Sequence, residues 1–322
     1  MNMRLCAHSG VNFLLTPSLA IFGVSVACAQ DFPNKPVRVL TGTAGGGTDF
    51  VSRYVVQAMS GSLGQPVVVE NRTADISAEI VAKSPPDGHT LCVAGGTLWI
   101  EPLLRKTSYD PIRDFAPVSL LTSSPSILVV HPSVPARSVK DLIALAKAKP
   151  GELNYGSGGV GQPTHLSGEL LKFLAKIDVL HVPYKGNGPA VVSLIGGETQ
   201  VLIANAQSVG AVIKSGRARA LAVTSSMPSA FFPGLPTVAA TLPGYEWVGS
   251  AALFAPSKTP AAIVDRLNNE ILRVLNRPDV KEKLLGAGVE ALSSSPQELA
   301  ARVKSEMARL TLVIRDANII AE

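Results

Sequence analysis

Cysteine is scarce in this chain, which has three in 322 residues. Cys6 and Cys28 lie in an N-terminal segment that we expect to be removed after Ala29, because Ala27, Cys28 and Ala29 match the small-x-small pattern of a signal-peptidase site. The remaining Cys92 has no partner, so the mature chain can form no internal disulfide. Its place in an apolar run, residues 90–94, predicts a buried core thiol.

The apolar N-terminal stretch, residues 11–26, is short and contains Asn12 and Pro17. A transmembrane anchor is the competing interpretation, but a membrane span needs about 20 apolar residues. The sequence therefore predicts a signal peptide at residues 1–29, export to the periplasm and a mature chain that begins at Gln30. No apolar run after residue 30 approaches the length of a membrane span.

Aromatic residues are few, at 5%, and basic residues form no dense run. The chain has 29 Lys and Arg against 24 Asp and Glu; loss of Arg4 with the signal peptide leaves 28 against 24, a net charge of +4. This mild and scattered excess argues against nucleic acid as a partner. The sequence also lacks a Gly-Lys-Ser/Thr phosphate loop and any cluster with metal-ligand spacing, so no cofactor and no metal are predicted.

The mature sequence alternates between apolar runs typical of strands and amphipathic runs typical of helices. This alternation predicts an α/β fold, and the length favours two domains. Strands are expected at residues 37–40, 66–70, 90–94, 153–155, 178–182, 201–204 and 218–223. Helices are expected from residue 51, at 76–83, after Ser138, at 163–174, at 189–195, from Thr259 and Pro260, and after a capping box at Ser295 and Glu298.

A glycine-rich loop, residues 43–49, joins the first strand to the first helix. The first N–H groups of a helix have no intrahelical acceptor, and the helix dipole places partial positive charge there. Such a helix start can hold a carboxylate or phosphate without Lys or Arg, and glycine lets the anion approach the backbone. The alternative is a turn that merely connects strand and helix, although three consecutive glycines exceed what a turn needs.

A second glycine-rich loop, residues 156–164, leads into the helix that carries His165. Two anion sites, one in each domain, could face each other across a cleft and hold a small molecule at both ends. This arrangement suits a diacid or an amino acid.

Individual side chains near the loops allow two interpretations each. Asp49 is expected to brace the first loop through N–H groups or water rather than to act in catalysis. His165 could donate to a ligand or could be a packed, hydrogen-bonded histidine. His181 is expected to be structural, and Trp99 and Trp247 are expected in the core or at a domain edge.

Several motifs in order resemble those of the substrate-binding proteins of tripartite tricarboxylate transporters, the Bug or TctC family of periplasmic receptors. The resemblance runs from about Phe32 to the C-terminus. It is carried by residues 32–36, 45–49, 65–72, 86–91, 114–118, 155–165, 181–186 and 242–246.

The resemblance implies a type II periplasmic binding protein, or Venus flytrap, with a ligand cleft between two α/β domains joined by crossing strands. Domain 1 would comprise residues 30–130 and 253–322, and domain 2 residues 131–252. The implied partners are a small carboxylate or amino-acid-like ligand and a membrane permease or a sensor kinase, with the receptor itself a monomer and not an enzyme. The candidate ligand-binding residues are Thr43, Gly45, Gly46, Gly47, Thr48, Asp49, Thr97, Ser157, Gly158, Gly161, Gln162, His165 and Asn205.

The chain departs from the family pattern after Arg72, where a glycine-rich loop is shortened to Thr73, Ala74 and Asp75. If this segment borders the cleft, Asp75 would disfavour an anion on that side and could favour an amine.

Two enzyme interpretations are weaker. Gly156, Gly158 and Gly161 match the dinucleotide-binding fingerprint, but Asp178 begins the next strand instead of ending it, where a ribose-binding acid belongs. Ser157 lacks the flanking glycine of a nucleophile elbow, because Tyr155 stands two residues before it.

Overall fold

The computed structural model describes residues 32–229 and 231–319; the predicted signal peptide lies outside them. Within these ranges the strands are β1 (Val37–Thr41), β2 (Val67–Asn71), β3 (Thr90–Gly95), β4 (Phe115–Val130), β5 (Asn154–Ser157), β6 (Leu180–Pro183), β7 (Val201–Asn205), β8 (Arg219–Val223), β9 (Val248–Pro256) and β10 (Glu290–Ala291). The α-helices are α1 (Gly47–Val51), α2 (Ser60–Leu63), α3 (Ala74–Ala82), α4 (Thr97–Leu104), α5 (Val139–Ala148), α6 (Pro163–Ala175), α7 (Asn187–Gly196), α8 (Ala206–Lys214), α9 (Ala261–Leu275), α10 (Pro278–Gly286) and α11 (Pro296–Asp316).

The first part of the chain forms the expected parallel βαβαβ unit. Strand β1 pairs in parallel with β2 on one side and with β3 on the other. Val39 and Leu40 of β1 are fully buried, as is usual for a parallel strand covered on both faces. Cys92 of β3 is 1% exposed, and burial raises the pKa of its thiol to about 12, which confirms a buried, unreactive cysteine.

A second parallel unit lies at the other end of the same continuous sheet. Strand β5 pairs in parallel with β6 and β7, whereas β8 runs antiparallel to β4. The strand order is β2-β1-β3-β9-β4-β7-β5-β6, with β8 and β10 also paired to β4. This topology confirms the predicted mixed α/β fold.

Two long antiparallel strands, β4 and β9, connect the two parallel units. The 16-residue β4 pairs with β9 and β10 along its first part and with β7 and β8 along its second. No strand pattern is visible in the sequence of β4, because this strand is buried on both faces and contains Pro117 and Pro125. It therefore shows neither alternation nor a proline-free apolar run.

Several boundaries differ from the sequence-based expectations, and three helices were missed. The first helix begins at Gly47, four residues before the expected start, and is continuous to Leu63 through a π-helical segment, Ser52–Val56, and a 3₁₀ segment, Gln57–Met59. Helices α4, α8 and α10 were not expected: α8 starts directly after β7, one residue separates α4 from β3, and two residues separate α10 from α9. Of the described helices, none has the length and apolarity that a membrane crossing requires.

The last helix, α11, packs against elements of both parallel units. Leu299 and Val303 join a core cluster with β1, β3 and β9, whereas Leu310 and Val313 join the core around β5 and α6. The predicted domain boundaries at residues 130 and 252 remain a prediction.

The N-terminus of α11 carries the expected capping box, in which Ser295 Oγ accepts from the Glu298 amide at 3.1 Å and Glu298 Oε2 accepts from the Ser295 amide at 2.8 Å. Ser295→Ala should lower the free energy of unfolding in urea by about 1 kcal/mol, because the helix loses its cap. Ser305→Ala, in the exposed middle of the same helix, is the control and should not lower it. Equal stability of the Ser295 and Ser305 variants would contradict the role of the cap.

Candidate ligand-binding site

A cavity of about 470 Å³ opens beside the first glycine-rich loop. The loop follows the carboxyl end of β1, the edge at which open α/β sheets bind ligands. The two crossing strands form the floor, and α8 of the second parallel unit contributes one side chain. The lining residues are Gly45, Gly46, Gly47, Thr48, Phe50, Val51, Thr122, Ser124, Gln207, Gly249, Ser250, Ala251, Ala287 and Val289.

Asp49 braces the first loop, as expected from the sequence. It is 5% exposed, and its Oδ2 accepts from the Gly45 amide at 2.9 Å. Its Oδ1 accepts from Arg53 Nε at 2.9 Å and from Asn71 Nδ2 at 2.8 Å. Burial opposes ionisation, but the hydrogen bonds from Asn71 and Gly45 and the charge of Arg53 outweigh it and hold the pKa of Asp49 below its ordinary value. Both carboxylate oxygens therefore accept hydrogen bonds that hold the loop in place.

The brace leaves the start of the first helix open to the cavity. Gly46 N–H bonds to the Thr43 carbonyl, but the amides of Gly47, Thr48 and Asp49 have no acceptor among the described residues. None of the described residues that line the cavity carries a charge. Among the described lining groups, the backbone N–H groups at the helix start therefore carry the partial positive charge, and hydroxyls such as that of Ser250 add further donors.

The second glycine-rich loop is built differently, because its own side chains occupy its amides. Gly158 N–H donates to Thr164 Oγ1 at 2.8 Å, Gly159 N–H to Ser157 Oγ at 3.1 Å, and Gly161 N–H to His165 Nδ1 at 3.0 Å. These three amides are therefore not free to hold an anion. The loop does not line the cavity of the first loop; Gly161 lies instead beside Leu104 of α4.

His165 follows the packed interpretation rather than that of an exposed ligand donor. It is 5% exposed, and its ring stacks on His181 with centroids 3.9 Å apart. Burial lowers the pKa of His165, and the nearby Glu169 only partly opposes this.

Ser157 and His181 form a hydrogen bond of 2.6 Å that resembles the nucleophile and base of a hydrolase. Ser157 is fully buried, however, and its hydroxyl also contacts both the amide and the carbonyl of Gly159. A buried oxygen engaged in this way cannot reach a substrate carbonyl. Among the residues that the structure describes, no cluster could hold a metal ion.

The other candidate residues lie at strand ends but do not line the cavity. Thr97 begins α4 directly after β3, and Gln162 caps α6; both are exposed. Asn205 caps α8, its Oδ1 accepting from the Ser208 amide at 2.8 Å. Asp75 lies in the first turn of α3, where a bond from Thr73 and the Ile76 amide lower its pKa, and it is not a lining residue.

Sequence reasoning missed Gln207 and the polar residues of β4 and β9. Gln207 Nε2 donates to the carbonyl of Ala287, which follows α10, and Ser229 Oγ donates to Oε1 of Glu290 in β10 at 2.8 Å. Gln207 could have been found as the second residue after the carboxyl end of β7. The cavity residues of β4 and β9 carried no such signal.

Two parallel units joined by crossing strands, with a polar cavity at the strand ends between them, define the protein as a two-lobed solute-binding protein. The chain belongs to the tripartite tricarboxylate transporter family of receptors, the TctC or Bug family, whose sequence profile matches residues 51–319. It is 34% identical to protein BugT of Bordetella pertussis over 98% of both chains. Members of this family are periplasmic receptors.

Solved structures agree with this assignment. The chain is 35% identical to Rpa4515 of R. palustris, a structure with adipate, with a TM-score of 0.68 over 90% of this chain and 99% of that one. It is 32% identical to MatC of Rhodopseudomonas palustris, a structure with bound malate, with a TM-score of 0.65 over 88% and 100% of the two chains.

Asp49→Asn should lower the free energy of unfolding by about 1–3 kcal/mol at neutral pH. The amide nitrogen that replaces one carboxylate oxygen is itself a donor, so it must face either the Gly45 N–H or the donors of Arg53 and Asn71. The folded-state pKa is lowered, so the stabilisation by Asp49 is present above about pH 4 and is lost as the pH falls through that lowered pKa. Urea unfolding at several pH values measures both effects. Glu79→Gln, in the exposed pair with Lys83, is the control and should leave stability unchanged; equal effects of the two substitutions would refute the brace.

Proposed function

We propose that this protein is a periplasmic receptor that captures a small carboxylate-bearing solute and presents it to membrane permease subunits of the tripartite type. The observation that carries the proposal is the set of free amides at the start of the first helix, where Gly47 and Thr48 line a cavity without any charged side chain. The family membership and the adipate and malate in related structures support it.

A carboxylate suits this site for electrostatic reasons. Backbone N–H groups at a helix start supply partial positive charge that is fixed in place, so no flexible Lys or Arg must be ordered on binding. The volume of about 470 Å³ lies in the range usual for small-ligand sites and exceeds what a single carboxylate needs. The remaining space and the hydroxyl groups of Thr122, Ser124 and Ser250 are suited to the rest of the solute.

Closure of the two units over the solute is the step that a permease would recognise. Gln207 reaches from the second unit to the Ala287 carbonyl at the cavity mouth, so a solute that contacts both units would favour the closed arrangement. A ligand shifts such an equilibrium only by its extra affinity for one state. Export, cleavage after Ala29 and a monomeric state belong to the same proposal.

A sensory role, in which the closed receptor contacts a sensor kinase, uses the same site and is the second candidate. An enzymatic role is not proposed: Ser157 is buried, and Asp178 lies before β6 rather than at its carboxyl end. Purified protein should therefore neither hydrolyse chromogenic esters nor bind nicotinamide cofactors.

Thermal unfolding against a panel of mono-, di- and tricarboxylates, amino acids, amides and aromatic acids should identify the solute class. A ligand at about one hundred times its dissociation constant stabilises by roughly 2.7 kcal/mol, which raises the Tm by several degrees. We expect the response among small carboxylates, adipate and malate included. A response confined to amines would contradict the proposal, since a cation is repelled by the free N–H groups.

Gly47→Leu should raise the Kd of the identified solute at least tenfold, because the added side chain projects into open space beside the free amides. Isothermal titration calorimetry measures the change. Gly61→Leu is the matched control, as it also enters open space on the same helical stretch but lies outside the cavity. An unchanged Kd in the Gly47 variant would remove the first loop from the site.

A further inference from the structure

Three aromatic rings stack behind the second glycine-rich loop. His165 of α6 lies 3.9 Å from His181 of β6, and His181 lies 4.8 Å from Tyr155 of β5, measured between ring centroids. The proposed function uses none of these rings directly. Their hydrogen bonds nevertheless reach the backbone of the loop.

His165 holds the loop through a bond that requires a particular protonation state. Gly161 N–H donates to His165 Nδ1, so this nitrogen must be without a proton. Ser157 Oγ accepts from the Gly159 amide, lies 3.3 Å from the Gly159 carbonyl, to which its hydroxyl can donate, and is 2.6 Å from His181 Nε2, so this contact fits an Nε2 with or without a proton. A neutral His165 therefore sets the position of the Gly161 amide.

The surroundings do not favour a charge on either ring. The charged groups that face the pair are Glu169 and Lys172 of α6, and Glu169 Oε1 already accepts from Lys172 Nζ at 2.8 Å and from the Tyr155 hydroxyl at 2.5 Å. Glu169 Oε1 lies 4.0 Å from His165 Nε2, which is too long for a hydrogen bond. Two imidazolium ions 3.9 Å apart would also repel each other.

We propose that His165 is a positioning residue that fixes the second glycine-rich loop only while its ring is neutral, so that acidification unlocks the loop. Release of the solute on acidification rests on the proposed function, whereas the unlocking of the loop does not. Burial lowers the pKa of His165. Since the folded-state pKa of His165 lies below the ordinary value near 6.5, loop stability is full above about pH 6.5 and declines as the pH falls toward the lowered pKa.

Hydrogen exchange of the solute-free protein, followed by mass spectrometry of the peptide that covers residues 157–165, tests the loop directly. In the wild type, the protection factor should fall at least tenfold between about pH 6.5 and about pH 4, because the unlocked loop gains protons that the locked loop cannot bind. His165→Asn should keep its protection over this range, since the amide oxygen accepts from Gly161 and does not ionise. His165→Phe keeps a ring but loses the acceptor, so it should be poorly protected at every pH.

His165→Gln, whose side-chain amide also does not ionise, serves if the Asn variant does not fold. Protection in the wild type that is the same at both pH values would overturn the proposal, as would an equal pH dependence in the Asn or Gln variants. Affinity for adipate or malate, compared at each pH between wild type and His165→Asn, cancels ionisation of the solute itself. The wild type could lose loop protection at low pH while its affinity falls no more than that of His165→Asn. This result would support the loop switch and would contradict a part for the second loop in solute binding.

Discussion

The pairing of β4 with β9 is the constraint on which the rest of the structure depends. The two strands belong to both parallel units, so they set how the carboxyl ends of β1 and β3 stand relative to those of β5 and β7. Register shifts near Pro117 and Leu120 bend the pair, as bulges do, and α11 packs across both units. The cavity lies where these strands cross, which is why its floor comes from Ser124 and Ser250 rather than from the loops alone.

The two glycine-rich loops are held by different side chains, with opposite effects on their backbone amides. The first is held by an ionised, buried Asp49, which leaves the amides after Gly46 free for a ligand. The second is held by neutral His165 and by Ser157, which accept hydrogen bonds from the amides of Gly161 and Gly159. The amides at the start of the first helix are therefore available to a ligand, whereas three amides of the second loop are occupied by side chains of that loop and of α6.

Local patterns predicted the parallel units well, since buried apolar strands and capped helices such as the one after Ser295 carry their signals in adjacent residues. Strand β4 was missed because its environment, buried on both faces, is created by partners far along the chain. Ser157 was placed among the ligand-binding residues because a glycine-rich loop shows where an anion can approach but not which amides its own side chains occupy. Gln207 was missed because the closeness of α8 to Ala287 arises only from tertiary packing.

Binding of a carboxylate by backbone amides of the first loop is tested most directly by titrating isotope-labelled protein with adipate or malate and following the amide resonances of Gly47, Thr48 and Asp49. These resonances should shift downfield together and saturate with the Kd found by calorimetry, as expected for N–H groups that gain a charged acceptor. Saturable binding that leaves all three resonances unmoved would contradict this mode of binding.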